Sequence, residues 1–544
     1  MIVLGIESTA HTFSASVMDE NRVLSLESKT MTTDSGGLIP REIIEHHLLN
    51  GPIIINQALI AAGKKIEDIK LVSFSQSPGI GGALQIGAVI ARALSLKHKI
   101  PIVGVNHCVA HLEIARLMTG LNDPVMLYTS GANTQIIAYT EGKYRVFGET
   151  LDMGVGNFID HVGRLLGIGF PSGKKIEELA SMGKKFIELP YKVKGMDVNF
   201  GGIYSNLALK IEGKEFDAND LCYSLQETVF SMLVEISERA LAHCQKKELV
   251  LTGGVGANKR LNEMCGIMCK DRGAVFKSIP VKFSVDNASM IAWTGLLKYK
   301  SHGADKVADT EINQRTRTEE VDIFWRESTK TRSGFSSTPK NLNSADSFGF
   351  SSIISMGAEA IIRQISEDEL VKDRVRKSYR IKEIDTRLRK SRTKMEYSIL
   401  KKAANEGLAV PKVWDLEEYS FKMQHIKGEL VRDYLANCPD NKALFKIIGK
   451  QINMMHKNNI IHGDLTTSNM ILLGGKVYFI DFSLGSLSGK LEDKAVDLHL
   501  IKQALIAKHN SCWKECFEEI IKAYKNKEVL NKLKSVEKRG RKKA

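Results

Sequence analysis

The feature that most constrains the fold is an internal repeat in the first third of the chain. The segment from Val3 to Leu24, VLGIESTAHTFSASVMDENRVL, can be aligned with the segment from Val125 to Val146, VMLYTSGANTQIIAYTEGKYRV. Each segment has the pattern of an apolar strand, a Ser/Thr/Gly turn, a second strand, a polar turn and a third strand. Two copies predict two similar lobes, and such turns can offer backbone N–H groups and hydroxyls to a phosphate.

A third glycine-rich segment extends this pattern. The stretch LVLTGGVGANKRL, from Leu249 to Leu261, follows an apolar strand and opens a helix. Helical segments at residues 40–62 and 154–182 follow the two repeats, which gives this part of the chain an α/β texture. Glycines let a ligand approach the backbone closely, and a helix N-terminus favours anions. Together these elements predict a nucleotide-binding cleft in a pair of duplicated lobes.

A polar segment divides the chain into two parts. Residues 324–349 are rich in Ser, Thr, Gly and Asn and lack apolar periodicity, which predicts a linker. We therefore expect a first domain at residues 1–323, with lobes at about 1–120 and 121–323. A second domain with a basic C-terminal tail is expected at residues 350–544.

The distribution of charge and of cysteine indicates which partners and which cellular compartment to expect. The net charge is +14, and residues 372–394 contain eleven Lys and Arg against three Asp and Glu, while residues 531–544 contain seven against one. Such runs suit nucleic acid, although solvated helix faces give the same pattern. The eight cysteines form no CxxC pair, and no apolar run is long enough to span a bilayer. We expect reduced thiols, a cytoplasmic protein and no membrane partner.

Two histidines share one predicted helix face. The segment GVNHCVAHLEIAR, from Gly104 to Arg116, places His107 and His111 four residues apart. Two imidazoles at this spacing can hold one metal ion, and they can equally be two buried, hydrogen-bonded histidines. The HExxH motif of zinc proteases needs a glutamate after the first histidine, and Cys108 stands there instead. The residues alone leave metal binding and a structural role open, and they disfavour peptidase chemistry.

The first domain resembles a known enzyme family. Through the motifs NHCVAH, SGANTQ, LDMGVGNFID, FPSGKKIEELA and DNASMIAW, in that order, it is similar to the catalytic subunit of tRNA N6-threonylcarbamoyladenosine synthase, in the actin-like ATPase superfamily. The resemblance implies a two-lobed actin-like α/β fold and one divalent metal, which would be iron, zinc or manganese. It also implies transfer of a threonylcarbamoyl group from threonylcarbamoyl-AMP to N6 of the adenosine adjacent to the anticodon, in tRNAs that read ANN codons.

The same resemblance assigns candidate site residues. It implies four metal ligands, namely His107, His111, Tyr128 and Asp286. It implies contacts to the adenylate from Tyr128, Thr129, Ser130, Gly131, Ala132, Asp160, Gly173, Glu177, Gly254 and Asn258. Two of these have plain alternatives, since Asp160 could be a surface acid and Glu177 an acid on an exposed helix. Ala132 and Ser172 replace glycines that are usual in the family, and both are small enough to let the backbone approach a ligand.

The second domain carries a different pair of motifs. The stretch IIHGDLTTSNMILL begins at Ile460 and is followed by VYFIDFS, which together match the kinase pattern H-x-D-L-x-x-x-N and then D-F-x. Phosphoryl transfer needs a carboxylate at the nucleophile and oxygen ligands for magnesium. We therefore predict Asp464 as the catalytic base, with Asn469 and Asp481 as magnesium ligands.

The segment upstream of these motifs predicts the rest of an ATP site. Met356, Gly357 and Ala358 stand where a loop should cover the phosphates of ATP. Lys372 follows an apolar pair, as the phosphate-binding lysine of a kinase does, and Glu396 occupies a helical position suited to its ion-pair partner.

These motifs also carry a family resemblance. Through GAEA, RTKMEY, HGDLTTSN and DFS, the second domain resembles the small atypical serine/threonine kinase of the KEOPS complex, which is related to the RIO kinases. The resemblance implies a small two-lobed α+β kinase-like fold, ATP with magnesium, and other KEOPS-type subunits as partners. Gly463 replaces the usual arginine and no APE motif follows, so we expect ATP hydrolysis or autophosphorylation in place of phosphorylation of docked peptides.

Two functional hypotheses remain at this point. The first is a tRNA-modifying acyltransferase with a fused kinase or ATPase domain that regulates or supports it, and it predicts salt-sensitive tRNA binding, mainly by the second domain. The second is an actin-like ATP sensor with an attached protein kinase that acts on protein targets. The sensor hypothesis predicts that alanine at His107 and His111 leaves function intact.

Overall fold

The computed structural model describes most of the chain as two compact units. The described residues are 1–31, 39–131, 133–213, 216–326, 352–437, 441–509 and 512–541. Ala132, most of the predicted linker and the last three residues of the basic tail lie outside them. Within the described part, no helix has the length and apolar character needed to cross a membrane. The first unit comprises Met1–Ile176 and His243–Thr331, and the second comprises Glu177–Ala242 and Arg332–Lys543.

The first sheet of the first unit has the strand order β3-β2-β1-β4-β5. Its first three strands form an antiparallel meander, and the other two continue the sheet parallel to β1. The strands are β1 (Val3–Glu7), β2 (Thr12–Met18), β3 (Val23–Thr30), β4 (Leu71–Ser77) and β5 (Ile102–Asn106). The strands β1 and β2 are buried along their whole length. The sequence of β1 is apolar up to Glu7, whereas β2 alternates apolar residues with Thr12, Ser14 and Ser16, whose hydroxyls hydrogen-bond to β3.

The second sheet of this unit repeats that topology. Its order is β12-β11-β6-β7-β8, with an antiparallel meander followed by two strands parallel to β6. The strands are β6 (Val125–Thr129), β7 (Thr134–Thr140), β8 (Lys143–Glu149), β11 (Glu248–Thr252) and β12 (Val275–Ser278). The duplicated lobes predicted from the internal repeat are therefore confirmed, and the fold is that of the actin-like ATPases.

Helices follow the strands of both sheets, and several of them pack on the sheets. They are α1 (Pro40–Ala61), α2 (Gly81–His98), α3 (His107–Thr119), α4 (Val155–Leu165), α5 (Gly173–Met182), α8 (Lys259–Asp271), α9 (Val281–Ser284) and α10 (Ala288–His302). The side chains of Asn106 and Asn287 cap the first turns of α3 and α10. Buried residues of both sheets, among them Val105 and Val250, belong to one apolar cluster with Met290 of α10.

The second unit begins with a segment that precedes the predicted linker. Residues 177–242 contribute a two-stranded hairpin of β9 (Val193–Lys194) and β10 (Asp197–Val198), followed by α6 (Gly201–Glu212) and most of α7 (Ala218–Cys244). The helix α7 is buried from residue 224 to residue 241, although this stretch contains the charged residues Glu227, Glu235, Glu238 and Arg239. A buried charge needs a partner. Glu235, Glu238 and Arg239 have theirs in the same unit, as described below.

The rest of the second unit is a small kinase-like fold. An antiparallel sheet of order β13-β14-β15-β17-β16 is followed by a mainly helical part with two small sheets. The strands are β13 (Ser352–Met356), β14 (Ile361–Gln364), β15 (Glu369–Asp373), β16 (Val413–Trp414), β17 (Ser420–Gln424), β18 (Glu429–Leu430), β19 (Ile460–Ile461), β20 (Met470–Leu473), β21 (Lys476–Phe479) and β22 (Ser486–Leu487). The helices are α11 (Lys382–Asn405), α12 (Val431–Asn437), α13 (Lys442–Lys457), α14 (Leu491–Lys508), α15 (Trp513–Ala523) and α16 (Lys527–Arg541). Both predicted parts of the fold class are thus confirmed.

Candidate functional site

Three of the predicted metal ligands converge in the first unit. His107 and His111 lie one turn apart on α3, and Asp286 lies directly before the residue that caps α10. The Nε2 atoms of the two histidines are 3.4 and 3.2 Å from Oδ1 of Asp286. One ligand atom from each of these residues lies within 4.8 Å of the other two. The end of β5 and the start of α10 therefore bring together residues that are far apart in sequence.

The donor set fits a divalent metal. Ligands bound tetrahedrally at 2.0–2.2 Å lie roughly 3.4 Å apart, which is close to the separations of these nitrogen and oxygen atoms. Tyr128, near the end of β6, lies beside them, with its ring centroid 5.5 Å from that of His111. Two imidazoles with a carboxylate and a phenol oxygen suit iron, zinc and manganese alike.

A residue that the sequence analysis did not single out orients the first histidine. Nδ1 of His107 lies 3.0 Å from Oε2 of Glu7 and 3.2 Å from Oγ1 of Thr9. Glu7 ends β1 and is completely buried. A histidine whose Nδ1–H is held by a carboxylate presents Nε2 to a metal. The available signal was a carboxylate at the end of an otherwise apolar strand.

The charges of this cluster leave Asp286 and His111 ready to bind a metal, whereas His107 holds a proton. Burial raises the pKa of Asp286, but the charges and hydrogen bonds of His107 and His111 outweigh it and hold that pKa well below its usual value. Burial also lowers the pKa of His111, so its ring is neutral at neutral pH. For His107, burial is opposed by the charges of Glu7 and Asp286, which raise its pKa well above the usual range. Metal binding would release that proton, because a ligand must be deprotonated at the donor atom.

The turn after β6 holds the residues predicted to contact the adenylate. Ser130 and Gly131 lie in the turn between β6 and β7, and Ala132 is outside the described residues. The carbonyl groups of Ser130 and Gly131 accept hydrogen bonds from the backbone of Gly156 (3.2 Å) and Asn157 (3.0 Å). The turn is therefore fixed against the first turn of α4.

The turn after β11 packs against the same strand end. Gly253 has φ +91°, and a Cβ there would lie 2.4 Å from the carbonyl carbon of Thr129. Oγ1 of Thr129 donates a hydrogen bond to the carbonyl of Thr252 at 2.9 Å. Gly254 follows in a short 3₁₀ turn, and Asn258 caps α8 by accepting from the backbone N–H of Leu261. The structure thus brings Thr129 and the glycine-rich turn together.

The remaining adenylate candidates are on α4 and α5. Oδ1 of Asp160, on α4, accepts a hydrogen bond from the backbone N–H of Ser172 at 2.8 Å. Ser172 directly precedes Gly173, the first residue of α5. Asp160 therefore also stabilises the local turn. Glu177 is on the same helix as Gly173 and belongs to the second compact unit.

In the second unit, the predicted ATP-site residues form a connected group. Nζ of Lys372, on β15, lies 2.6 Å from Oε1 of Glu396 on α11 and 2.8 Å from Oδ1 of Asp481. Burial lowers the pKa of Lys372, but the charges of Asp481 and Glu396 outweigh it and raise that pKa. Met356 ends β13, and the turn that contains Gly357 and Ala358 leads into β14. A lysine held between these two carboxylates can bind the phosphates of ATP.

The predicted catalytic loop is equally well defined. Nδ2 of Asn469 donates to Oδ2 of Asp464 at 3.0 Å and to its carbonyl at 2.8 Å. Burial raises the pKa of Asp464. Asp481 has φ +61°, a conformation that non-glycine residues seldom adopt and that is frequent at functional sites. The tip of the β9–β10 hairpin lies beside this loop, because a Cβ at Gly195 would be 4.0 Å from Oδ1 of Asp464.

These two sites define the class of protein. A duplicated actin-like fold with a metal-ligand cluster, in one chain with a small kinase-like fold, is the organisation of a bifunctional enzyme. Comparison with family models supports this organisation. The model of tRNA N6-adenosine threonylcarbamoyltransferase matches residues 22–293, and the model of the RIO domain matches residues 363–485.

Full-length relatives identify the family. The chain is 42% identical over 550 residues to a probable bifunctional tRNA threonylcarbamoyladenosine biosynthesis protein of Methanothermobacter thermautotrophicus, with 99% of each chain covered. It is 42% identical over 553 residues to the protein of the same description in Methanobrevibacter smithii, again with 99% of each covered. The chain therefore belongs to the family of bifunctional tRNA threonylcarbamoyladenosine biosynthesis proteins. Both predicted resemblances are confirmed, and the tRNA-modification hypothesis is favoured over the ATP sensor.

Proposed function

We propose that the first domain transfers the threonylcarbamoyl group of threonylcarbamoyl-AMP to N6 of the adenosine adjacent to the anticodon, in tRNAs that read ANN codons. The observation that carries this proposal is the convergence of His107, His111 and Asp286 inside the region that matches the transferase family. The reaction forms a bond from the adenosine N6 to the carbamoyl carbon, breaks the bond from that carbon to the phosphate oxygen of AMP, and releases one proton of N6. AMP is a good leaving group, so the chain needs no nucleophile of its own.

The four metal-ligand candidates would hold one divalent ion, and their donor set suits iron, zinc and manganese. Such an ion supplies Lewis acidity and a template for the carbamoyl oxygen when it is bound. The chain contributes the orientation: Glu7 fixes His107, and the cap at Asn287 fixes Asp286 at the start of α10. Preorganised ligands of this kind need little rearrangement before the reaction.

We assign the adenylate to the turns of the second sheet. Ser130 and Gly131, held against α4, would bind its phosphate or threonyl end, and Gly254 with Asn258 would contact it from the glycine-rich turn. Asp160, Gly173 and Glu177 would hold the ribose and the purine. Backbone N–H groups in glycine-rich turns and at helix starts are suitable partners for a phosphate.

In the second domain, Asp464 would act as the base, Asn469 and Asp481 would bind magnesium, and Lys372 would bind the phosphates of ATP. The position of Gly195 beside Asp464 supports a small acceptor in preference to a docked peptide, since the hairpin occupies part of the approach. ATP hydrolysis or autophosphorylation is the activity that fits, with a regulatory or supporting role for the transferase.

Partners and domain limits complete the proposal. The tRNA would be bound partly by the basic C-terminal tail, and other KEOPS-type subunits would join the complex. We retain the functional division into a transferase domain at residues 1–323, a linker at 324–349 and a kinase domain at 350–544, with residues 177–242 folding in the second compact unit. The cytoplasmic location expected from the cysteine pattern stays a prediction.

The test uses the full chain with unmodified tRNA and threonylcarbamoyl-AMP. We expect His107→Ala to lower the rate of modification by more than about a hundredfold and to lower bound metal, because it removes a ligand. The matched control is His302→Ala, an exposed histidine on α10. Nucleoside analysis of the tRNA and metal analysis of the protein give the two readouts. Equal modification by the unchanged chain and His107→Ala would contradict the proposal and favour the ATP sensor.

A further inference from the structure

A buried carboxylate of α7 is surrounded by arginines of the kinase fold. Glu235 is fully buried. Its Oε2 accepts a hydrogen bond from Arg380 at 2.7 Å, and its two oxygens accept from Arg392 at 2.9 and 3.1 Å. Arg239, one turn later on α7, also binds it at 3.0 Å. All four residues belong to the second unit, although Glu235 and Arg239 are in the sequence range that matches the transferase family.

Arg392 connects this carboxylate to the ATP site by two routes. It lies on α11 four residues before Glu396, so the two side chains share one face of the helix. Glu396 in turn holds Lys372 at 2.6 Å. The other side of the Arg392 guanidinium donates to Oε2 of Glu359 at 2.6 Å, in the loop between β13 and β14. We call this loop, residues 357–360, the nucleotide loop. One guanidinium therefore joins α7, α11 and the nucleotide loop.

The nucleotide loop is held by further arginines of the same network. Besides Arg392, Glu359 has Arg239 at 3.5 Å, Arg380 at 3.7 Å and Arg374 at 3.9 Å. Burial raises the pKa of Glu359, but the charges of these arginines outweigh it and hold that pKa well below its usual range. A buried ion-pair network of this kind fixes geometry strongly, because moving one member leaves another charge without a partner.

We propose that Glu235 is a positioning residue for the ATP site, acting through Arg392 and Glu359 on the Lys372–Glu396 pair. This inference rests on the proposed use of ATP by the second domain. In protein kinases the lysine–glutamate pair must be in place before ATP is bound productively, and the placement of its helix is a common point of control. Here Gly463 stands where an arginine would read a phosphorylated activation loop. Through Glu235, the helix α7 holds α11 in place without a phosphorylated loop.

A second buried carboxylate on α7 provides a control that distinguishes positioning of the ATP site from simple attachment of the helix to the kinase fold. Glu238 is also buried and accepts hydrogen bonds from Lys377 at 2.6 Å and Tyr379 at 3.2 Å. Both partners precede α11 in the chain. If Glu235 served only to attach α7 to the kinase fold, loss of either carboxylate would have the same effect. If Glu235 positions the ATP site, only its own loss changes the affinity for ATP.

The experiment measures steady-state ATP turnover by the full chain with magnesium, for Glu235→Gln, Glu235→Asp and Glu238→Gln. We expect Glu235→Gln to raise KM for ATP roughly tenfold, since a network residue modulates a coupled site by this order. Glu235→Asp keeps the charge on a shorter side chain and should raise KM by a smaller factor, roughly fourfold, whereas Glu238→Gln should keep KM within about twofold of the unchanged chain. A purely structural defect lowers the folded fraction, and hence the apparent kcat, without changing KM.

Each outcome decides between the two roles. An unchanged KM in Glu235→Gln, or the same rise in Glu238→Gln, overturns the inference. If Glu235→Gln does not fold, Glu235→Asp decides, because an unchanged KM there also overturns it. If the unchanged chain turns over no ATP, the proposed ATP use fails separately. Titration calorimetry with magnesium and a non-hydrolysable ATP analogue then compares Kd among the same variants, with the same two outcomes.

Discussion

The turns that follow β1 and β6 occupy the same place in two sheets of the same strand order, yet they serve different purposes. The first strand ends in Glu7, whose carboxylate reaches across to orient His107. The second ends in Thr129, whose hydroxyl stays within its own sheet on the carbonyl of Thr252. In the second sheet the preceding residue, Tyr128, faces the metal-ligand cluster. The two sheets are therefore symmetric in topology but differ in role: the end of β1 supports a candidate metal ligand, and the end of β6 carries one.

The glycines beside these turns show the same symmetry. Gly79 follows β4 and Gly253 follows β11, which are equivalent strands of the two sheets. A Cβ at Gly79 would lie 2.7 Å from the carbonyl oxygen of Thr9, and one at Gly253 would lie 2.4 Å from the carbonyl carbon of Thr129. Only the second of these two glycines has a positive φ, of +91°.

Replacing the glycine that lies against the neighbouring strand end in each lobe should have the largest effect on stability. Gly253→Ala combines backbone strain with a clash and should lower the free energy of unfolding by about 3–4 kcal/mol. Gly79→Ala adds a clash alone and should lower it by about 1–2 kcal/mol. Urea unfolding of both variants measures the difference. Equal losses would show that the positive φ of Gly253 carries no strain of its own.

Acid should weaken the first lobe before the second. The ring of His47, on α1, packs on Phe13 of β2. Burial, with the charge of His46, lowers the pKa of His47 from 6.5 to about 4. Between these pH values the unfolded chain binds a proton that the folded chain does not, so stability falls as the pH drops through this window. The loss approaches about 3 kcal/mol and is absent above pH 6.5.

Amide hydrogen exchange provides the readout for this prediction. Strand β2 should lose protection before β7 as the pH is lowered, and His47→Gln should flatten the dependence. The other groups whose charges act on His47 are His11 and Glu7. A slope that is unchanged in His47→Gln would assign the acid sensitivity to another group.

Removing the charge of Glu7, at the end of β1, should weaken metal binding. Glu7→Gln keeps the shape of the side chain but removes the carboxylate that faces Nδ1 of His107. Loss of such a partner weakens metal binding by about 10- to 100-fold. Competition with a chelator measures the affinity. An unchanged affinity would mean that the carboxylate has only a packing role.

The equivalent change in the second turn should be the smallest. Thr129→Val removes one hydrogen bond to the carbonyl of Thr252 and should lower the free energy of unfolding by about 1 kcal/mol. Metal affinity should stay within about twofold of the unchanged chain, because no ligand is oriented by this hydroxyl. Thermal unfolding and the same chelator competition check both parts. A loss of metal affinity as large as that of Glu7→Gln would contradict this difference between the two strand ends.

Local patterns predicted much of this molecule. The repeat predicted the two sheets, and the helical spacing of His107 and His111 placed both on one face of α3. The role of Glu7 depends on a contact across 100 residues, which no local pattern contains. The roles assigned to the site residues stay predictions until they are tested, because they rest on motif positions and on proximity.

The basic run at residues 372–394 shows why charge patterns are ambiguous. Six of its eleven basic residues form ion pairs with carboxylates of low exposure, namely Lys372, Arg374, Lys377, Arg380, Arg389 and Arg392. Two of the partners, Glu235 and Glu238, lie more than a hundred residues upstream. The sequence displays the excess of positive charge but not the distant acids that neutralise it. Arg387 and Lys390 pair with more exposed carboxylates. The tail, together with Arg376, Lys382 and Lys394, is therefore the better candidate for contact with tRNA.

The grouping of residues 177–242 with the kinase fold limits how the gene for this chain could be divided. A break at the linker would leave Arg380 and Arg392 on one polypeptide and Glu235 on the other. Each fragment made alone would lack the partners of these buried charges, which costs stability. Producing both fragments in the same cell should rescue them, since each would complete the other during folding.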